Sequence, residues 1–361
     1  MGNFERWENE FRSQNLFAFN DNDNGLLWLK VRAVCRSRQI KQFCVENGIE
    51  LRSSRINEQN IELFSILEND SDAMVMLDDY LRVRSHDWYE CLGVDETKLK
   101  DDLYKVQHYE WGGDRNNSLD KYLVSRYVKV ISNYDELLVR QGEIAHNAWN
   151  YVQTSWYNNW TSFLMEALFK RHEKVVSAAG EIKSVDFFIG KHPIDLKVTY
   201  FPNLYMAEKL KEKLGKRELT WLKAKAKSVA VSTDTTQTES QQLYTLSEKL
   251  KMLGHNDILN ELRNVKAEII NEARQNTTEL MTWLYANQGE MRFGAENRIF
   301  VILVDTQEMN DSWKMKRAFD LIEPKIEQYL DNYDAGSLKE INFTFKKKDY
   351  KALADVIFIV K

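Results

Sequence analysis

Apolar and polar residues alternate with period two through Ser184 to Pro202, SVDFFIGKHPIDLKVTYFP. Val185, Phe187 and Ile189 alternate with Asp186 and Phe188, and Ile194, Leu196, Val198 and Tyr200 alternate with Asp195, Lys197 and Thr199, the signature of two strands. Gly190-Lys191-His192-Pro193 supplies the turn between them. Upstream, His146 to Glu173 sets Trp149, Val152, Trp156, Trp160, Phe163, Leu164 and Leu168 at helical spacing without Gly or Pro, which predicts a helix. Lys174 to Ala179 is predicted as a first strand before Gly180. After Pro202 comes a largely helical stretch. Then Arg298 to Asp305, RIFVILVD, is a short apolar run typical of a fully buried strand. Met315 to Tyr333 reads as a further helix and Asp355 to Lys361 as a closing strand. The fold class expected is α/β (α+β), a mixed central sheet flanked by helices.

Residues 1–140 have mixed helical periodicity, as in Asn60 to Leu67 and Ala73 to Val83, and no nameable motif. They are expected to form a mainly helical N-terminal region serving recognition, dimerisation or partner binding. Residues 141–361 are expected to form a second domain with a helical insertion around 203–295. Lys30 to Arg55 is basic, and Gln39 to Cys44 followed by Asn47-Gly48 has the look of a helix and turn; a solvated helix face explains it more simply than a DNA-reading motif. Ser228 to Gln242, poor in large apolar residues, reads as a loop.

Composition changes this picture little. A chain of 361 residues has ample apolar content for a core. The net charge of −5 neither favours nor excludes nucleic acid, because local distribution makes the footprint. Cys35, Cys44 and Cys91 lack the spacing of a zinc site or a disulfide framework, which suits a reducing cytoplasm. The charged start, MGNFERWENE, has no signal-peptide core, and no apolar run approaches membrane-spanning length.

The candidate chemistry lies in the alternating segment. If Ile189 pairs with Ile194 across a four-residue turn, Asp186 falls opposite Lys197, with Asp195 one diagonal step away on the same face. Unpaired charges at the centre of a buried sheet face cost several kcal/mol, roughly, so the trio is either solvated or functional. Alternating apolar-in, charged-out strands are the commonest surface strands, so the solvated reading competes directly.

The order of elements, helix, three antiparallel strands, helix, strand, helix, strand, resembles the core of the PD-(D/E)xK nuclease superfamily, which includes most type II restriction endonucleases. The resemblance spans roughly residues 147–361 in element order and a handful of residues in identity. Asp186 matches the first acid, Asp195-Leu196-Lys197 the (D/E)xK motif, and Glu166 the acid often found on the preceding helix; Val185 stands where the motif has Pro. The resemblance implies a restriction-endonuclease-like core and a Mg²⁺-dependent DNA endonuclease of a restriction or other host-defence system, with Mn²⁺ able to substitute. Asp186, Asp195, Glu166 and the Leu196 carbonyl would hold the metal, and Lys197 would orient or help deprotonate the attacking water. Glu173 and Glu181 are the reserve candidates for the helix acid. His192 is expected as a turn residue rather than a ligand. Double-stranded DNA is the expected partner, phosphate contacts being sought in the basic run at Lys209, Lys213, Lys216 and Arg217 and in the loop before the buried strand at Arg292 and Arg298. A homodimer follows if both strands of a duplex are cut at a symmetric site. The alternatives are a non-catalytic binding or assembly protein that keeps this fold, and a structure-specific or RNA-directed nuclease.

Overall fold

The computed structural model describes residues 2–34, 37–110, 118–182, 184–288, 294–334 and 336–361. The N-terminal third is helical: α1 (Asn3–Arg12), a 3₁₀ turn (Leu16–Phe19), α2 (Asp23–Ala33), α3 (Ser37–Glu46), α4 (Ile56–Leu67), α5 (Ala73–Cys91), α6 (Glu96–Leu103), α7 (Leu119–Leu123) and α8 (Tyr134–Val139). The 30-residue α9 (Gln141–Lys170) leads into β1 (Val175–Ile182), β2 (Val185–Ile189) and β3 (His192–Tyr200). Five helices follow: α10 (Asn203–Leu214), α11 (Glu218–Ser228), α12 (Glu239–Met252), α13 (Asn256–Gln275) and α14 (Thr277–Ala286). The chain closes with β4 (Arg298–Val304), a 3₁₀ segment (Met309–Arg317), α15 (Phe319–Asp331), β5 (Lys339–Phe345) and β6 (Lys348–Val360).

The fold is α+β around one mixed six-stranded sheet, in the order β1-β2-β3-β4-β6-β5. The first three strands are antiparallel, β3, β4 and β6 run parallel, and β5 closes the far edge antiparallel to β6. β4 is buried along its whole length, as its unbroken apolar run requires. Its two faces feed two cores. Ile299, Val301 and Leu303 pack with Leu196, Ile357, α9 and α15, while Phe300, Ile302 and Val304 pack under α10–α14.

The helices before α6 do not keep a core to themselves. Leu26, Trp28, Phe64, Leu77 and their neighbours enclose Val176 and Val185 of the first two strands together with Phe188. Among the described residues, the core of these helices therefore extends across the boundary expected near residue 140 onto the first two strands. On β3 the apolar side chains Ile194, Leu196 and Val198 all belong to the α9–α15 side. Its other face, carrying Asp195, Lys197 and Thr199, lies between the N-terminal helices over β1–β2 and the inserted helices over β4–β6.

A candidate acidic site where two strands part

The β2–β3 turn has two residues, not four. Ile189 pairs with His192, Phe188 with Pro193 and Phe187 with Ile194, and Gly190 takes φ +56° at the first turn position, a conformation glycine adopts without steric cost. The register therefore slides by two residues, which preserves the faces but changes the partners. One step beyond the last pair, Asp186 meets Asp195 rather than Lys197. His192 is consequently a strand residue, 4% exposed, its Nδ1 3.2 Å from the Tyr333 hydroxyl. Burial holds its pKa below the ordinary imidazole value, against the opposing charge of Asp21.

The ladder ends at this step. The Leu196 N–H donates to Asp186 Oδ2 at 2.7 Å instead of to a β2 carbonyl. N–H and C=O of one strand residue point to the same edge, so the Leu196 carbonyl faces the same opening. Asp186, half-buried, is pushed up to about 6 by burial first, then by the charge of Asp195 and, less strongly, of Glu166; the Leu196 N–H and Lys170 act in the opposite sense. Glu166 lies on α9 and pairs with Lys170 at 3.0 Å.

Asp195 is 7% exposed and holds two cations. Lys197 Nζ lies 3.0 Å from Oδ1 with its side chain half in solvent, and Arg298 Nε lies 3.0 Å from Oδ2. Arg298 differs from its expected place at a phosphate or base: it is 5% exposed. It also donates to Glu296 Oε2 at 2.6 Å and Gln288 Oε1 at 2.9 Å, and its guanidinium sits over the Tyr285 ring. As placed, it orients Asp195 and offers no surface to a ligand. The sequence does carry a signal for this: an Arg that heads a fully buried strand requires a buried acid. A Cβ at Gly294 would meet the Glu296 carboxylate, so a side chain there would displace the acid that Arg298 holds.

Asn297, 1% exposed, went unnoticed in the sequence. Its amide exchanges two hydrogen bonds with Asn20, donates to the Pro193 carbonyl and accepts from the Leu353 N–H. Its own carbonyl takes the Asp195 N–H at 2.9 Å. One side chain thus ties the N-terminal region, β3 and β6 together one residue from Arg298.

The expected phosphate contacts lie elsewhere and are largely spoken for. Lys209 pairs with Glu279 at 2.8 Å and Glu212 at 3.2 Å, and Lys213 with Glu272 at 2.7 Å and Glu268 at 3.1 Å. Lys216 and Arg217 are exposed at the α10–α11 corner. Arg292 and the Glu181 side chain lie outside the described residues; Glu173 is exposed beyond the end of α9. Among the described residues, no group of three His, Cys, Asp or Glu is gathered closely enough to hold a metal ion by itself. No described helix is long and apolar enough to cross a membrane.

No family model matches the chain, and comparisons with curated proteins and with solved structures also find no match.

Proposed function

We propose that the chain is a divalent-metal-dependent endonuclease that hydrolyses phosphodiester bonds in double-stranded DNA, of the restriction or host-defence kind. The observation that carries this reading is Asp186. Where β2 and β3 part, its carboxyl is raised to about 6 by burial first and then by the negative charges of Asp195 and Glu166, which the Lys170 charge only partly offsets. The donors are hard oxygens, the kind Mg²⁺ takes, and fit the ion in type. Asp186, Asp195, Glu166 and the Leu196 carbonyl would hold it, with water and phosphate oxygens completing the set. Bound there, Mg²⁺ supplies neutralisation of phosphate charge and a water of lowered pKa. Arg298 fixes the Asp195 carboxylate through Oδ2. Lys197, half exposed at Oδ1 of the same carboxylate, presents an ammonium to an incoming phosphate or water, where it orients the nucleophile and offsets developing charge.

The test is cleavage of plasmid, linear duplex and single-stranded DNA with Mg²⁺, Mn²⁺ or chelator, by wild type, Asp195→Ala and Lys197→Ala. Metal-dependent cleavage is expected in wild type, with both variants slower by about a thousandfold or more, the order of loss on removing a main electrostatic group. Persistent cleavage in both variants removes the site.

One observation favours a second reading, a binding or assembly protein that keeps this fold without catalysis: Asp195 is already neutralised by the buried Arg298. That reading takes over if wild type cleaves none of these substrates and Mg²⁺ leaves its unfolding midpoint unchanged.

A further inference from the structure

From Ile144 through Met165 the chain has 22 consecutive residues without Asp, Glu, Lys or Arg, in a protein of which 29% is charged. All of them lie on α9. Such a stretch has no charged side chain to hold any of its faces in water, and only some of those faces are covered. Ile144 and Tyr151 pack against α7–α8, where Asn147 donates to the Tyr122 and Tyr127 hydroxyls. Tyr157, Leu164, Met165 and Phe169 are buried against the body of the molecule. The remaining face carries Trp149, Val152 and Trp156, exposed by 62%, 52% and 36%, and these belong to no hydrophobic cluster among the described residues. Among the described residues, nine of the 21 exposed large apolar side chains fall between Val124 and Trp156, less than a tenth of the chain; such concentration marks an interaction surface.

The spacing says what covers it. Trp149, Trp156 and Phe163 stand seven residues apart, and Ala145, Val152 and Asn159 occupy the intervening positions, also seven apart. That is the seam of a helix that packs along another helix. All the large residues fall in one register and all the small ones in the other. A parallel copy would stack Trp on Trp and Ala on Ala. An antiparallel copy instead sets Trp149 against Asn159 and Val152 against Trp156, larger against smaller in each layer, with Ala145 toward Phe163, which already packs on Trp160 and the α6 cluster. It opposes no like charges, because the segment has none, and it aligns the helix dipoles favourably.

We infer that α9 is the interface of a two-fold symmetric dimer, two copies packing antiparallel from Ala145 to Phe163. Trp149 and Trp156, 62% and 36% exposed, together offer the ~150–250 Å² of one large aromatic, to which Val152 and the small seam residues add. The seam is thus at most about half of the ~800 Å² per partner of a standard interface, so association is weak and concentration-dependent. The inference rests on this helix alone and stands or falls separately from the nuclease reading.

The experiment is light scattering on the size-fractionated full chain over about 1–100 μM, the range where a micromolar equilibrium is visible. Trp149→Glu/Trp156→Glu, circular dichroism and uncharged phosphatidylcholine vesicles complete it. Wild type is expected to pass from monomer to dimer, and the variant to remain monomeric with unchanged helicity, a shift in dissociation constant of at least about tenfold. A second measurement does not depend on the variant folding. The two-fold axis passes beside Ser155, so oxidised Ser155→Cys is expected to form a covalent dimer, while wild type and Ser65→Cys, on α4, do not. A wild type monomeric throughout overturns the inference. So does a double variant that dimerises like wild type, or binding of monomers to vesicles through the same tryptophans.

Discussion

The charge of Asp186 is one this fold disfavours, and that has a measurable sign. Its carboxyl is raised from 3.8 to about 6, so between those values the folded state holds more proton than the unfolded chain. Stability then falls as pH rises through about 4 to 6, and above it the ionised carboxylate is a standing cost. Two units at ~1.4 kcal/mol each set an upper bound, and partial solvation brings the effect to about 1–2 kcal/mol. Asp186→Asn keeps an acceptor for the Leu196 N–H and removes the charge. In urea denaturation at pH 7.5 it is expected to be more stable than wild type by about that amount, the gap closing near pH 4. Equal stability at both pH values would mean a well-solvated carboxylate and no electrostatic pressure for a cation. Alternation alone made Asp186, Asp195 and Lys197 legible in the sequence. Their pairing was not legible, because it depends on a turn length that GKHP leaves ambiguous: Pro193 in strand geometry looks, in sequence, like part of the turn.

At the scale of elements, the start of β4 organises the site more than any strand interior does. Asn297 closes four side-chain hydrogen bonds to three separate segments. Asn297→Ala removes the partner of the Pro193 carbonyl in the interior and of the half-buried Leu353 N–H and Asn20 amide. The expected cost is about 2–4 kcal/mol, read as a lower urea midpoint at unchanged slope. A loss below about 0.5 kcal/mol would show the junction to be incidental. The sequence marked β4 by its apolar run but was silent on what precedes it, since an Asn before a strand usually signals a turn. The β5–β6 hairpin was missed for a related reason. Its turn is Lys346-Lys347, both at positive φ, +48° and +67°, where Asn-Gly would have announced it. Lys348 begins β6 opposite Phe345, in a hairpin whose Ile341 and Phe343 are buried.

For the whole molecule, the decisive fact is that the sheet is finished by helices that precede it in the chain. Val176 and Val185 are covered, with Phe188, by α2, α4 and α5, and Tyr157 and Leu164 of α9 pack with Leu99 and Leu103 of α6. Polar ties follow the same route: Lys191 reaches Asp23 at 2.7 Å, and Asn20 reaches Asn297. The sequence suggested a division near residue 140 because periodicity is a local signal and cannot report which distant surface an apolar face will meet. A fragment of residues 141–361 would expose Val176, Val185 and Phe188 at ~1.5–3 kcal/mol each. The sum, roughly 4.5–9 kcal/mol, is comparable with the entire stability of an ordinary domain. The fragment is therefore expected to lack a cooperative urea transition and to aggregate, while the full chain unfolds in a single step. A soluble fragment that unfolds cooperatively at the midpoint of the full chain would restore the boundary at residue 140 and make the shared core a docked interface between two domains.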